Sequence, residues 1–175
     1  MQRYPYLSGR EVFLPDDQLI VTKTDLKGRI TYANQTFLAF CGYTKKQVLG
    51  APHNIVRHPH MPRCVFKLLW DRLGAGEEVF ANVVNLAANG DHYWVFAHVT
   101  PSRTSSDGIV VGYHSNRRSV DRNAVEKAII PLYADLLKEE QSHADPKHGL
   151  EASTKMLSDR LARMERTYDE YVFSI

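Results

Sequence analysis

The stretch 78-EVFANVVNLAANGDHYWVFAHVTP-101 decides the fold class of this chain. It holds two runs rich in β-branched and aromatic residues, 78–86 and 91–101, which are separated by the turn residues 87-AANG-90. A third run of this kind, 109-IVVGYHSNR-117, follows a turn-rich segment. Such runs between turn signals are typical of β-strands. We therefore predict three strands in this part of the chain.

Two shorter strands are predicted upstream, 19-LIVTKTD-25 and 29-RITYAN-34, joined by the turn 25-DLKG-28. Between the two groups of strands the pattern becomes helical. Asn34 and Thr44 are N-cap candidates for short helices, and 62-PRCVFKLLWDRLGAG-76 repeats apolar residues at helical spacing. The order predicts an α+β fold: a five-stranded antiparallel sheet with short helices on one face.

The C-terminal third is predicted to be helical. We divide the chain into an N-terminal segment 1–16, a main domain 17–120, a connector helix 121–140, a linker 141–149 and an amphipathic helix 150–175. Pro131 should kink the connector helix or remove one of its hydrogen bonds. A heptad stripe on the last helix fits either a partner chain or an amphipathic helix folded back on its own domain. Its members are Leu150, Leu157, Met164 and Tyr171, with Thr154, Leu161 and Tyr168 beside them.

Composition limits the class of function. The 175 residues carry 22 Lys and Arg against 20 Asp and Glu, and a net charge of +2 argues against nucleic-acid binding. No window approaches the ~20 apolar residues of a membrane span, and the N-terminus lacks the apolar run of a signal peptide. Cys41 and Cys64 stand far apart, which fits a reducing compartment. We expect a cytoplasmic protein.

The stretch 53-HNIVRHPHMPRCVF-66 carries the densest chemistry in the chain. Its three histidines have the spacing H-x4-H-x-H, which matches no standard metal-ligand pattern, and neither a nucleophile nor an orienting acid accompanies them. An enzyme is therefore not expected. A single histidine could serve as an axial haem ligand. Alternatively, Arg57 and His58, beside the helix start at Pro62, could bind an anion or a cofactor, or only satisfy loop carbonyls.

The pattern 32-YANQTFLAFCGYTKKQVLGAPHNIVRHPHMP-62, followed by 89-NGDHYWV-95 and 131-PLY-133, resembles the PAS domain. More narrowly, it is similar to the flavin-binding PAS domains of aerotaxis receptors, over about residues 17 to 137. The resemblance implies a five-stranded antiparallel sheet whose short helices wall a pocket. It also implies that the pocket holds FAD, whose redox state reports electron transport and oxygen supply.

The resemblance also implies the site residues. Matched positions make Asn34, Arg57, His58 and Asn85 flavin contacts, with Trp70 as a wall of the pocket and His53 as a further candidate. Side-chain amides can both donate to and accept from the flavin edge, and the cationic side chains can oppose charge on the ring or the diphosphate. Other roles stay open at this point: Asn34 as a helix cap, Trp70 as core and Asn85 as a solvent-facing strand residue.

Two positions depart from the family pattern. His60 stands where the family tends to carry Asp, and Val79 stands where it tends to carry Trp; the neighbouring Phe80 should point to the opposite face of its strand. The loop 50–58 also lacks the cysteine that light-sensing relatives use for a flavin adduct. Photoadduct chemistry is therefore not expected.

From the resemblance we expect a PAS sensor that binds FAD and signals redox or oxygen status without turning over a substrate. Helices 121–138 and 150–173 would carry the signal, as a homodimer contact or as a docking surface for a separate signalling protein. The alternatives are a haem-binding PAS sensor with His53 or His58 as axial ligand, a cofactor-free interaction module, and a flavin oxidoreductase.

Overall fold

The computed structural model describes residues 6–175, and the first five residues of the expected N-terminal segment 1–16 lie outside it. As the sequence predicts, five strands form one antiparallel sheet; their order in it is β2-β1-β5-β4-β3. They are β1 Ile20–Thr24, β2 Ile30–Ala33, β3 Val79–Leu86, β4 His92–Arg103 and β5 Val110–Arg118. The predicted α+β fold is confirmed.

Short helices fill the chain between β2 and β3, and their ends follow from local sequence. They are α1 Gln35–Cys41, α2 Lys45–Val48, a 3-10 turn His53–Val56 and α3 Arg63–Gly74. The Asn34 side chain accepts from the Phe37 amide at the start of α1, and Gly42 ends that helix in the left-handed conformation. Thr44 and Gln47 form a capping box on α2.

The connector is helical from α4 Arg122–Ala124, through a π-helical turn at Val125–Ile129, to α5 Ile130–Ser142. Pro131 explains the irregular turn. Proline lacks the N–H for an α-helical bond, and its ring crowds the carbonyl four residues earlier, so the backbone widens just before it. The predicted disturbance at Pro131 takes this form, and the helix continues.

The C-terminal boundaries differ from the expected ones. The predicted linker 141–149 is largely helical, because α6 Pro146–Arg163 begins with Asp145 as N-cap and proline in its first turn. The predicted single helix 150–175 is two helices. A turn with Glu165 at φ 52° ends α6, and a Thr167–Glu170 capping box starts α7 Tyr168–Ser174. None of the helices in residues 6–175 has the length and hydropathy that crossing a membrane requires.

The heptad stripe is turned towards the rest of the domain. Leu157, Leu161 and Tyr168 are buried, and α6 packs against α3 and α5. An amphipathic stripe has nearly the same spacing in a coiled coil and in a helix packed on its own domain. The structure adopts the second arrangement.

Helices cover the sheet on both sides at β3 and β4. We call the side that contacts α1–α3 the inner face: there Phe40 of α1 packs edge-on against Tyr93. On the outer face, Trp94 packs against Tyr133 of α5 and Phe80 against Phe173 of α7. Phe80 therefore points away from the inner face, as predicted. Burial on both sides explains why β3 reads as an almost continuous apolar run.

Candidate functional site

A buried arginine that the sequence did not single out dominates the inner face. Arg117 is 4% exposed and lies on β5 between its neighbours on β1 and β4. Its Nε donates to Ser115 Oγ at 3.1 Å, and its Nη2 lies 2.6 Å from both Thr22 Oγ1 and His53 Nε2. These three acceptors are all neutral, so they hold the guanidinium in place without cancelling its charge.

The protonation states of this cluster follow from burial. Burial lowers the pKa of Arg117 to about 10, which still leaves it a cation at neutral pH. Burial, reinforced by the nearby Arg117 charge, lowers the pKa of His53 to about 3. The imidazole is therefore neutral at physiological pH, and its Nε2 accepts a hydrogen bond from Arg117. The result is a fixed positive charge inside the domain.

Several donors on the inner face have no partner among residues 6–175. Arg117 Nη1, Tyr93 Oη and Asn85 Nδ2 are buried and make no hydrogen bond there. Buried polar groups are satisfied in most native proteins, and an unmade hydrogen bond costs about 1–3 kcal/mol. Asn85 and Tyr93 are direct cross-strand neighbours on the same face. Together these groups match a ligand that offers several acceptors and can take negative charge.

Two of the expected site residues meet at the free edge of the sheet. The backbone of Arg57 forms an antiparallel bridge with Asn85 on the edge strand β3, and its guanidinium lies 4.2 Å from the centre of the Phe66 ring. Asn85 is 5% exposed, so it is not the solvent-facing residue of the open alternative. The structure thus places the loop after the 3-10 turn beside the buried amide.

His58 takes part in a second cluster. It is 5% exposed, its Nδ1 accepts from the His60 amide at 3.1 Å, and its ring lies against those of His60 and His92. Burial, then the electrostatic influence of His60 and His92, lowers the pKa of His58 to about 4. No group of three or more His, Cys, Asp and Glu side chains in the described chain has the geometry of a metal site.

Asn34 and Trp70 occupy other positions. Asn34 Oδ1 accepts from the amides of Phe37 and Val21, and its Nδ2 donates to the Leu19 carbonyl, so this side chain caps α1 and ties it to β1. Trp70 is 45% exposed and packs edge-on against Tyr113 at 5.5 Å. The structure does not bring either side chain to the Arg57–Asn85 edge.

The structure also gives the positions of Val79 and His60, the two departures from the family pattern, and of Cys64. Val79 is fully buried on the inner face, where a branched aliphatic side chain offers no stacking surface. His60 is exposed, in the loop between the 3-10 turn and α3. Cys64 is buried in the first turn of α3, where burial raises the pKa of its thiol to about 12.

One sequence pattern could have pointed to Arg117, which the sequence analysis missed. Tyr113, Ser115 and Arg117 alternate along β5, so they share one face. An arginine at the end of a strand usually reaches solvent, and only the position of β5 in the middle of the sheet reveals that this one is buried.

Comparisons with known proteins agree with the fold. A family model described as a PAS domain matches residues 17–116. The aerotaxis receptor of Escherichia coli (strain K12) is 41% identical over 137 residues, which cover 78% of this chain and 26% of the receptor. This chain therefore spans about a quarter of that relative's length.

Solved structures share the fold. A light-oxygen-voltage domain studied with a flavin analogue superposes with a TM-score of 0.57 at 23% identity, covering 72% of this chain and 90% of that one. The blue-light photoreceptor Aureochrome1 LOV in its light state gives a TM-score of 0.55 at 27% identity, with 73% and 94% covered.

Proposed function

The chain belongs to the PAS domain family, and from that membership we propose that it is a sensor that binds FAD and passes redox or oxygen status to a signalling partner. The similarity to an aerotaxis receptor supports the sensory role, and the likeness to light-oxygen-voltage domains supports a flavin. The domain would not turn over a substrate. We place it in the cytoplasm.

The observation that carries the proposal is the buried, charged Arg117 with an unpartnered Nη1. A buried cation is unfavourable unless something opposes its charge, and here only neutral groups contact it. A flavin supplies carbonyl acceptors along one edge of its ring and takes up negative charge when it is reduced. Arg117, Tyr93 and Asn85 would satisfy those acceptors, with Arg57 and His58 closing the edge at β3.

The residues around Arg117 also offer a route for the signal. Thr22 on β1 and Ser115 on β5 hold the guanidinium, so a change in charge opposite Nη1 would alter hydrogen bonds to both strands. On the outer face, Tyr133 Oη donates to the Asn82 carbonyl of β3 at 2.6 Å, which joins the sheet to α5. The signal requires two states that the cofactor binds with different affinity.

The haem alternative with His53 as axial ligand has an observation against it. Axial ligation by His53 requires a free imidazole lone pair, whereas its Nε2 lies 2.6 Å from Arg117 Nη2 and accepts from it. The cofactor-free alternative would leave the buried donors of Arg117, Tyr93 and Asn85 unsatisfied. One experiment distinguishes the haem and cofactor-free hypotheses from flavin binding.

That experiment is an absorption spectrum of the purified protein, followed by identification of the released cofactor. We expect paired flavin bands and FAD as the released species. A Soret band would replace the proposal with a haem sensor, and a spectrum with neither would favour an interaction module. Asn85→Ala should reduce flavin occupancy, and full occupancy in Asn85→Ala and Arg57→Ala would count against the assigned site.

The output surface is also a proposal. Helices 121–138 and 150–173 would contact a second copy or a separate signalling protein. The buried stripe on α6 cannot do so while it packs on its own domain, so a partner would use other surfaces or displace the helix. Light scattering of the full chain and of a chain lacking 150–175 distinguishes these cases, since an unchanged monomer would refute the homodimer.

A further inference from the structure

One buried carboxylate joins three helices. Glu140, near the end of α5, is 6% exposed. Its Oε1 accepts from the Cys64 amide of α3 at 3.0 Å and from Ser153 Oγ of α6 at 3.1 Å, while its Oε2 accepts from Arg63 Nε at 3.1 Å. A charged acceptor with three donors is among the stronger polar contacts a protein makes.

The carboxylate replaces a missing helix cap. The residue before α3 is Pro62, which makes no side-chain cap, so the first turn of α3 must find acceptors elsewhere. Glu140 supplies one, and its negative charge also lies at the favourable end of the helix dipole. The stability of the start of α3 is thereby linked to the position of α5.

A second set of contacts fixes α6 to the same point. Arg63 Nη2 donates to the Pro146 carbonyl at 2.8 Å. At Gly149, α6 approaches α5 so closely that a Cβ added to Gly149 would lie 2.3 Å from the Glu140 carbonyl oxygen. The hairpin of α5 and α6 is therefore held to α3 by polar contacts and close packing around one residue.

The start of α3 is directly connected to the proposed cofactor edge. Four residues, 59–62, separate His58 from Arg63. Within them Met61 is buried, and its Sδ accepts from the Val84 amide of β3 at 3.4 Å. A shift of the loop beside Asn85 must therefore move the first turn of α3 or break the contact between Met61 and β3.

We propose that Glu140 is a latch that holds the α5–α6 hairpin against the first turn of α3, and that the state of the inner-face site opens or closes it. The opening step rests on the proposed function, whereas the latch itself does not. Release would free α6 from α3 and uncover the apolar stripe that now faces the domain.

Cys64 provides a probe of the latch inside the native chain. Its thiol is fully buried under α6, so alkylation requires opening of this contact. Cys41 is equally buried, in α1, and serves as an internal control. Iodoacetamide labelling followed by peptide mass spectrometry reports the two sites separately in one sample.

Glu140→Gln should raise the Cys64 labelling rate about 30-fold and leave Cys41 unchanged, because glutamine lacks the negative charge and keeps only one acceptor oxygen, so its NH2 donor would face either Arg63 or the Cys64 amide. Ser153→Ala should raise it about fivefold, which preserves the test if the first variant folds poorly. The neighbouring Glu139→Gln is the matched control and should change neither rate. An unchanged Cys64 rate, or a parallel rise at Cys41, would overturn the latch.

The coupling is tested on the flavin-loaded protein, oxidised or photoreduced under nitrogen. The Cys64 labelling rates of the two forms should differ about fivefold or more, in the range typical of coupled sites. Equal rates would refute the coupling and leave flavin binding intact. Failure to bind flavin would refute the proposed function alone, because the Glu140→Gln comparison needs no cofactor.

Discussion

Two histidines, His53 half-buried and His58 buried, should make this protein sensitive to mild acid. His53 and His58 are neutral in the fold, with pKa values of about 3 and about 4 against an ordinary value of 6.5. In the unfolded chain both take up a proton near pH 6.5. Protonation therefore favours the unfolded chain. The free energy of unfolding keeps its full value above pH 6.5 and decreases as the pH falls from 6.5 towards the folded pKa values.

The magnitude follows from those values. Between pH 7.5 and 5.5, each histidine gains about one proton on unfolding and almost none in the folded state. One pH unit below the unfolded pKa corresponds to about 1.4 kcal/mol for each group, or about 2.7 kcal/mol for the pair. That is a large part of the stability of a small domain.

Urea unfolding of the apoprotein at the two pH values measures this loss. His53→Gln keeps an acceptor for Arg117 and should reduce the pH-dependent loss by about 1.4 kcal/mol relative to the parent. His148→Gln, at an exposed position of α6, is the control for loss of a histidine elsewhere in the chain. If His53→Gln loses as much stability as the parent over this pH range, the His53 imidazole is not held neutral in the fold.

Three further changes test the packing by urea unfolding at pH 7.5. Gly149→Ala should destabilise by about 2 kcal/mol, because its Cβ would overlap the Glu140 carbonyl, and a stabilised variant would contradict that close approach. Tyr133→Phe should cost about 1–2 kcal/mol through the lost bonds to the Asn82 carbonyl and to Tyr168 Oη, and no change would show that these bonds contribute nothing. Arg117→Met should stabilise the apoprotein by about 1–2 kcal/mol by removing a buried charge, and a clear loss of stability would show that the charge is already compensated.

Strand and helix positions could be predicted because their signals are local. The alternating runs around 87-AANG-90 and the caps at Asn34 and Thr44 depend on neighbouring residues, and the structure retains them. The end of α6 could not be predicted in this way. The helical pattern continues through residues 164–167, and only the Thr167 capping box hints at a new start.

The site was less predictable because it depends on topology. The Arg57–Asn85 edge came from a motif resemblance, and the structure brings those two residues together. Arg117 carried no local signal, since its burial results from the central place of β5 and from His53, 64 positions away in the chain. Likewise, the role of Glu140 depends on three helices meeting.

The central claim is that the inner face binds a flavin through the charge of Arg117. Arg117 and Arg118 are adjacent on β5 and face opposite sides of the sheet; Arg118 lies over Phe96 on the outer face. The decisive measurement is flavin occupancy, from the ratio of flavin to protein absorbance, in Arg117→Gln and Arg118→Gln. We expect occupancy to fall at least about tenfold in Arg117→Gln, as for loss of a charged hydrogen bond, and to stay at the parent value in Arg118→Gln. Full occupancy in Arg117→Gln would contradict the claim.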